Sequence, residues 1–427
     1  MKVRANSSVG MGTYRMSVRS KEHYDSLVIA LKNGLDLIDT SANYTNGESE
    51  KLIGKVLKEH PEYNPVIITK GGYVQGDCIK LMGALNADGL ALDGLVKIND
   101  DLWHSIHPEF LQSQIDLSRE RLEGASIDFY LLHNPEYYFM QDDENLSDKE
   151  FYARIEKAFI FLESKVEKGE IGAYGISSNG LALSPEDKTY VNLQTILEIA
   201  RRIKAKHFKM IQFPFNLIEI GALERFQDLS SVIELAKEEG LILVGNRPFN
   251  AFKDDKLIRL AGYDSFYPIP TKEEVGEHVH YCLELVEKKM SEFDEEESVY
   301  DIPLIKQFIQ LWPDLQSPDA VEQVYFGHLF PLIARIWGGE GLDANDSAPF
   351  YKLFELNERL SRGNMTELAN EFRTQAVNMG LLPNAPEASL TKLAIDFYLQ
   401  SGIDYVLVGM KKPDYVMQLK EYFNGTV

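Results

Sequence analysis

Cysteine is nearly absent from this 427-residue chain, which has two, Cys78 and Cys282. They lie far apart, so no disulfide framework is implied and a reducing compartment fits. Long apolar runs are missing too. None approaches the roughly 20 residues a membrane-crossing helix needs, and the opening Met1-Lys2-Val3-Arg4-Ala5-Asn6 leads into no apolar leader core. Positive charge is in deficit: 44 Lys and Arg against 66 Asp and Glu leave a formal net charge of −22. Such a chain lacks the basic surface that nucleic acid or an anionic membrane would require. Low-complexity tracts are absent, and no repeat is present beyond an alternation of strands and helices. A soluble, cytoplasmic protein is expected.

What is present is a globular composition, 44% hydrophobic and 11% aromatic. The length exceeds the usual single core, so either one barrel with a large insertion or two domains is expected. Short apolar runs of strand length sit at 9–13, 35–39, 66–69, 127–132, 173–177, 210–213, 241–244 and 405–408. Helical patterns fall between them at 21–33, 48–58, 108–122, 151–168, 191–206, 230–239 and 390–401, with a last one at 413–423. In the fourth, Ile155, Phe159, Leu162 and Val166 share one face, with Glu156, Lys157, Lys165 and Lys168 mostly opposite. Ser20, His107-Pro108 and Pro413 mark helix starts. Eight strands each followed by a helix predict an α/β fold, the (β/α)8 TIM barrel.

Two stretches break the rhythm. Residues 71–107 are too long for an ordinary strand-to-helix loop, and their glycines suggest a short hairpin. A helix-rich insertion follows strand seven, so the domains read as 1–255 (first part of the barrel), 256–383 (insertion) and 384–427 (closing helix, strand and helix). Helical patterns within it cover 275–293, 302–311, 320–336 and 350–379, and the acidic run Asp294-Glu295-Glu296-Glu297 reads as a solvated turn. Loops after barrel strands emerge on the face that holds active sites in this fold. Both insertions are therefore expected to act as lid or specificity elements, against a peripheral role in stability or oligomer contacts.

Four polar residues interrupt the pattern where strands end. Leu35 to Ile38 stops at Asp39, and the loop beyond carries Tyr44 before Glu48 opens a helix. Val66-Ile67-Ile68-Thr69 ends at Lys70, and Ile127-Asp128-Phe129-Tyr130-Leu131-Leu132 ends at His133. In order and local context, Asp39, Tyr44, Lys70 and His133 match the catalytic tetrad of the aldo-keto reductases. "IDFYLLHNPEY", "GAYGISSN", "MIQFPFN" and "LAIDFYLQSGIDYVLVGMKKPDYV" resemble further segments of that family. The resemblance spans 1–255 and 384–427 and leaves the insertion outside.

This resemblance implies hydride transfer between NAD(P)H and a small aldehyde, ketone or sugar-like carbonyl, with Tyr44 as general acid in reduction and base in oxidation. A tyrosine with a reference pKa near ~10 exchanges protons poorly at neutral pH. Lys70 is expected to lower that pKa, Asp39 to hold Lys70 charged, and His133 to donate a hydrogen bond to the carbonyl oxygen. No side chain supplies a hydride, so a nicotinamide must. The family binds it across the barrel mouth, and consistently no GxGxxG follows a strand. Cofactor contacts are implied at Gly12, Thr13, Ser177, Ser178, Asn179, Gln212, Asn246, Arg247, Pro248, Gly409, Lys411 and Lys412.

The chain departs from the family in three places. Ser177-Ser178-Asn179 shifts the usual asparagine by one. Asn246 stands where an aromatic ring usually stacks on the nicotinamide, a role Phe249 or Phe215 would then take. Tyr415 aligns with the basic residue that grips the 2′-phosphate of NADP, leaving Lys411 and Lys412, near a helix start, as substitutes. NADP is the expected cofactor, with NAD the alternative. No metal site is expected: His278 and His280 point apart on a helix, His104 and His107 lack a Cys pair, and all four read as solvated. The rival readings are an NAD(P)+-dependent aldose or alcohol dehydrogenase and a non-catalytic cofactor-sensing scaffold.

Overall fold

Each of the eight apolar runs becomes a parallel strand in a computed structural model. It describes residues 5–76, 78–79, 82, 94–141, 146–226, 230–253, 256–262, 268–292, 298–315, 317–339 and 342–423. The acidic run at 294–297 and part of the 71–107 stretch lie outside the described residues. The strands are β1 (Val9–Gly12), β2 (Leu37–Asp39), β3 (Val66–Gly71), β4 (Phe129–His133), β5 (Ala173–Ser177), β6 (Phe208–Pro214), β7 (Ile242–Asn246) and β8 (Tyr405–Gly409). They hydrogen-bond in the cyclic order β1-β8-β7-β6-β5-β4-β3-β2, and pairing of β1 with β2 closes the barrel.

Helices α1 (Lys21–Lys32), α2 (Glu48–Glu59), α3 (Pro108–Arg121), α4 (Asp148–Glu167), α5 (Leu193–Arg202) and α6 (Val232–Glu238) follow the first six strands. Their starts carry side-chain caps: Ser20 accepts from the His23 amide, His107 from Glu109, and Ser231 forms a capping box with Glu234. One helix face differs from the pattern. Lys165, placed on the solvent side of α4, is buried and reaches Glu170 at 3.3 Å. Its long apolar stem makes this burial tolerable once the ammonium finds a carboxylate.

Side chains alternate along a strand, so every second residue faces the barrel interior. Leu37, Val66, Ile68, Phe129, Leu131, Ala173, Met210, Ile242 and Val244 belong to one buried cluster with Tyr405 and Leu407. Two residues further along their strands come Asp39, Lys70, His133, Gln212 and Asn246, and four beyond Ala173 comes Ser177. Lateral register then aligns His133 with Ser177 and Ser177 with Gln212. The interior thus changes from apolar to polar in one layer at the C-terminal mouth. Gly175 permits this on β5. Its pairing with β6 slips there, and a Cβ would lie 2.0 Å from the Met210 carbonyl oxygen.

The 71–107 stretch contributes a three-stranded antiparallel sheet, Tyr73–Val74 with Trp103–His104 and Trp103–His104 with Val96–Lys97. The chain divides into two compact units, Met1–Leu257 with Ala394–Val427, and Ile258–Leu393. The second unit is helical: α7 (Lys272–Ser291), α8 (Pro303–Leu311), α9 (Pro318–Val324), α10 (Phe330–Ile336) and α11 (Ala344–Asn378). It has its own core, in which Val279, Leu283 and Val286 of α7 pack with Ile305, Phe308, Tyr325 and Leu353. The single helix expected over 320–336 is interrupted by a π turn, Tyr325–Leu329. Pro331 has no N–H and its ring crowds the preceding turn, so regular α bonding cannot run through it. The last two helices are α12 (Leu390–Gln400) and α13 (Pro413–Leu419), on either side of β8. Among the described residues no helix is long and apolar enough to cross a membrane.

Around the barrel, α2 is tied to its neighbours through a buried carboxylate. Glu50 accepts from Thr69 Oγ1 of β3 at 2.6 Å and from Arg121 Nη1 of α3 at 3.1 Å. The same Arg121 nitrogen donates to the Ala42 carbonyl at 3.2 Å, in the loop leading to Tyr44. Removing one partner of such a pair leaves an uncompensated buried charge. Arg121→Ala is expected to cost about 3–5 kcal/mol of stability, read as a lower urea midpoint. An unchanged midpoint would show that Glu50 has no need of the guanidinium.

Candidate active site

The polar layer at the barrel mouth begins with how the chain leaves β2. The Thr40 amide donates to Ile68 O at 2.8 Å and the Ala42 amide to Lys70 O at 3.1 Å, so the loop keeps following β3. A turn closed by the Tyr44 amide on Ser41 O, at 3.0 Å, then brings Tyr44 back toward Lys70. Thr45, Asn46 and Gly47 all take left-handed φ values, +48°, +56° and +84°. For a β-branched residue this is a strained conformation. Thr45 is held there by its hydroxyl, which donates to Met16 O at 2.5 Å.

Lys70 is wholly buried, and its ammonium is saturated. It donates to Asp39 Oδ2 at 2.7 Å, to Thr40 O at 2.8 Å and to the Tyr44 hydroxyl at 3.3 Å. Three N–H groups meet three acceptors. The Tyr44 oxygen accepts one of these bonds and keeps its own proton to donate. Burial works against charge at both ends of the ion pair, raising Asp39 and lowering Lys70, and their mutual attraction opposes it in each. Tyr44 corrects the expectation. Burial pushes its hydroxyl well above the ordinary value of 10, and the nearby Asp39 carboxylate adds to the rise. Desolvation of a phenolate outweighs the help of Lys70, whose charge Asp39 neutralises, so Tyr44 stays protonated.

His133 packs edge-on to Tyr44, with ring centroids 6.0 Å apart, and its Nδ1 lies 3.0 Å from Ser41 Oγ. Burial holds it neutral, and Lys70 and His104 press in the same direction. His104 corrects a second expectation. It is not solvated but buried, with Nε2 donating to the His133 carbonyl at 2.7 Å and burial lowering its pKa to about 4. Tyr73 completes this wall, its ring 4.7 Å from that of His133 and 5.2 Å from Tyr137. Tyr14, mostly exposed, packs edge-on to Tyr44 with ring centroids 5.3 Å apart.

A second set of groups continues the network away from Lys70. Gln212 Nε2 donates to the remaining Asp39 oxygen at 2.8 Å, and its Oε1 accepts from Ser177 Oγ at 2.9 Å and Asn246 Nδ2 at 3.2 Å. Asn246 Oδ1 is buried without a hydrogen-bond partner among the described residues. An orphaned acceptor beside Gln212 and Ser177 suits a ligand amide N–H, so the donor set fits a nicotinamide carboxamide. Thr13 and Ser178 are engaged within the protein: Thr13 Oγ1 donates to Asp39 O at 2.8 Å, and Ser178 Oγ to Glu136 Oε2 at 2.8 Å. Asn179 Oδ1 accepts from Arg247 at 3.0 Å, and Arg247 also reaches Glu219 at 3.4 Å. Arg247 takes a left-handed φ of +55°, and the Pro248 carbonyl accepts from Tyr398 at 2.8 Å. Phe215 stacks on Phe397 in the core and is almost fully covered. Gly12 ends β1, Gly409 ends β8, and Lys411 and Lys412 lie just before α13.

Of the remaining histidines discussed, His278 donates to Pro349 O at 3.0 Å, His107 caps α3, and His280 is exposed beside Glu284. Among the described residues no three His, Cys, Asp or Glu side chains converge as a metal site. Ser41, Tyr73, His104 and Glu136 were not singled out as site residues by sequence. Ser41, inside the Asp39–Tyr44 segment, and Glu136, inside "IDFYLLHNPEY", lay within segments the sequence had marked.

Comparison with known proteins yields a match between residues 8–251 and the model of the Aldo/keto reductase family. The chain is 31% identical over 110 residues to the NADH-specific methylglyoxal reductase of Escherichia coli K12, 26% of this chain and 30% of that protein. It is 24% identical over 219 residues to the aldo-keto reductase YhdN of Bacillus subtilis 168, covering 50% and 51%. It is 28% identical over 174 residues to D-threo-aldose 1-dehydrogenase of a Pseudomonas species, covering 40% and 48%. The matches therefore span about half or less of these relatives' lengths.

Glu136 supplies a test of the loop after β5. Its two oxygens accept from Ser178 Oγ and, at 2.8 Å, from the Asn179 amide, so it holds the segment carrying Ser177 to Asn179. Burial raises its carboxyl to about 7, the Ser178 hydroxyl and backbone amides pulling back. A carboxyl raised on folding favours the native state below its unfolded pKa, and that contribution is lost as pH rises through about 7. The loss amounts to about 3 kcal/mol. Glu136→Gln removes the titration. Stability measured by urea unfolding should fall less between pH 5 and 8 in the variant than in the wild type, and parallel profiles would refute the assignment.

Proposed function

The chain belongs to the aldo/keto reductase family, and on that premise we propose that it transfers a hydride between NADPH or NADH and a small aldehyde, ketone or sugar-like carbonyl, with Tyr44 moving the proton. The observation that carries this reading is the ammonium of Lys70, bonded at once to Asp39, Thr40 O and the Tyr44 hydroxyl. A buried lysine in contact with a tyrosine oxygen fits proton transfer better than structural support, because burying that charge is costly without a use for it.

Bound nicotinamide dinucleotide supplies the hydride. Gln212, Ser177 and the open acceptor of Asn246 are the groups that would hold its carboxamide, and Lys411 and Lys412, just before α13, would offer positive charge to its phosphates. Tyr44 donates its proton to the oxygen that gains charge during reduction, while Lys70, donating to the same phenol oxygen, stabilises the phenolate left behind. Asp39 keeps Lys70 charged and Gln212 keeps Asp39 in place. The rings of Tyr14, Tyr73 and Tyr137 around the tetrad suit a small substrate with apolar C–H faces. Run in reverse, the same groups oxidise an alcohol. Two unpaired cysteines agree with a cytoplasmic setting.

Tyr44→Phe keeps the ring and removes the proton. We expect turnover to fall by at least about 100-fold, with cofactor affinity little changed in fluorescence titrations against NADPH and NADH run in parallel. Saturation by either nucleotide identifies the preferred cofactor. Wild-type turnover in the variant would take Tyr44 out of the acid role, and failure of both nucleotides to bind, checked by calorimetry, would favour a scaffold.

A further inference from the structure

Of the three bonds made by the Lys70 ammonium, the one to the Tyr44 hydroxyl is the longest, 3.3 Å against 2.7 Å to Asp39 and 2.8 Å to Thr40 O. By about 3.6 Å such a contact is no longer a hydrogen bond, so a slight retreat of the loop ends it. Whatever fixes that loop against β3 therefore matters to the site. From one side Thr45 is tied to Met16 O. From the other, Arg121 of α3 donates through Nη1 to Ala42 O at 3.2 Å, two residues before Tyr44. Three residues after Tyr44, Gly47 takes its left-handed φ directly against the same guanidinium, where a Cβ would lie 2.5 Å from Cζ. One side chain thus touches both ends of the segment that carries Tyr44.

The same nitrogen also reaches the strand. Nη1 carries two N–H groups, and it donates to Glu50 Oε2 at 3.1 Å as well. Glu50 Oε1 accepts from Thr69 Oγ1 at 2.6 Å. Side chains alternate along β3, so Thr69 faces outward to α2 while Lys70, next in the chain, faces the site. The polarity of these links is fixed, since a guanidinium only donates and a carbonyl or carboxylate oxygen only accepts. Glu50 is wholly buried and the Arg121 side chain nearly so, which leaves little water to compete for the bonds.

We propose that Arg121 and Glu50 are positioning residues, a clamp behind the barrel wall that sets the spacing of the Tyr44 hydroxyl from the Lys70 ammonium. Arg121 holds the loop, Glu50 holds the strand, and the ion pair joins the two. This deepens the hydride-transfer reading and rests on it for the importance of that spacing. Neither residue touches the reacting atoms. Their effect passes through Tyr44, whose phenolate is stabilised by Lys70 only while the contact holds.

The test is a double-mutant cycle on the full chain. Arg121→Met removes the clamp and strands the Glu50 charge. Thr69→Val keeps the ion pair and cuts only its link to β3, and so serves if Arg121→Met does not fold. Turnover of glyceraldehyde, methylglyoxal and benzaldehyde is measured per folded molecule, the folded fraction being taken from urea unfolding. We expect kcat to fall about 10- to 100-fold in Arg121→Met and less in Thr69→Val, with NADPH and NADH affinities unchanged. Thr69→Ser, which keeps the hydroxyl, should restore kcat. In a Tyr44→Phe background neither substitution should lower the residual turnover further. Equal fractional losses in both backgrounds would show a general structural role and overturn the proposal, as would wild-type kcat in folded Thr69→Val. Hydrogen exchange over residues 42–47 should quicken in either variant, a readout that needs no substrate, and unchanged exchange in both would overturn the clamp. Wild-type turnover in Tyr44→Phe, or no binding of either nucleotide, would instead refute hydride transfer, so the two failures are distinguishable.

Discussion

The site depends on keeping one ammonium charged without water. Lys70 sits at the end of β3 with no exposed surface, and desolvation pulls its pKa down. Three acceptors around the ammonium oppose that pull, and each imposes a structural demand. Asp39 must end β2 in register with β3, Thr40 must turn its carbonyl inward, and the loop must double back to bring Tyr44 within reach. Asp39 in turn needs Gln212, and Gln212 bonds Ser177 and Asn246. Five strands are thereby joined by one connected set of hydrogen bonds, and the Lys70–Tyr44 side shares a frame with the Gln212–Asn246 side.

That frame changes the part Lys70 plays. With its charge balanced by Asp39, it does little to offset the burial of Tyr44, which remains a protonated phenol. Its contribution is directional. By donating to the phenol oxygen it leaves the tyrosine its own proton to give elsewhere, and in the proposed reaction it would stabilise the charge left when that proton departs. The same arrangement would be far weaker in water, where solvent competes for every one of these bonds.

Much of this was legible in the chain because buried parallel strands leave a strong local mark. Each reads as an apolar run of four to eight residues, and a polar residue at its inward-facing end stands out against that run. Asp39, Lys70 and His133 are visible for this reason, and the caps at Ser20 and His107 for the equally local reason that helix starts need acceptors. What escaped is what burial decides. His104 looked like a loop histidine and is placed under His133 by a small sheet 29 residues upstream. The direction of the Tyr44 shift depends on surroundings contributed by several strands. The π turn at Tyr325–Leu329 was masked by helical periodicity, although Pro331 gave a reason to expect a break.

Three buried acids in this barrel show how partner choice separates roles within one acidic chain. Glu50 meets Arg121 and fastens helices around the barrel. Asp39 meets Lys70 and serves the tetrad. Glu136 meets a hydroxyl and backbone amides, none of which carries a full charge to offset its own, and its carboxyl rises to about 7. Two of these acids face a cation, and the third, facing none among the described residues, has its carboxyl raised by burial to about 7. Glu136 grips the loop that follows Ser177, and Ser177 bonds Gln212, so the third acid is linked to the polar layer at the barrel mouth through that loop.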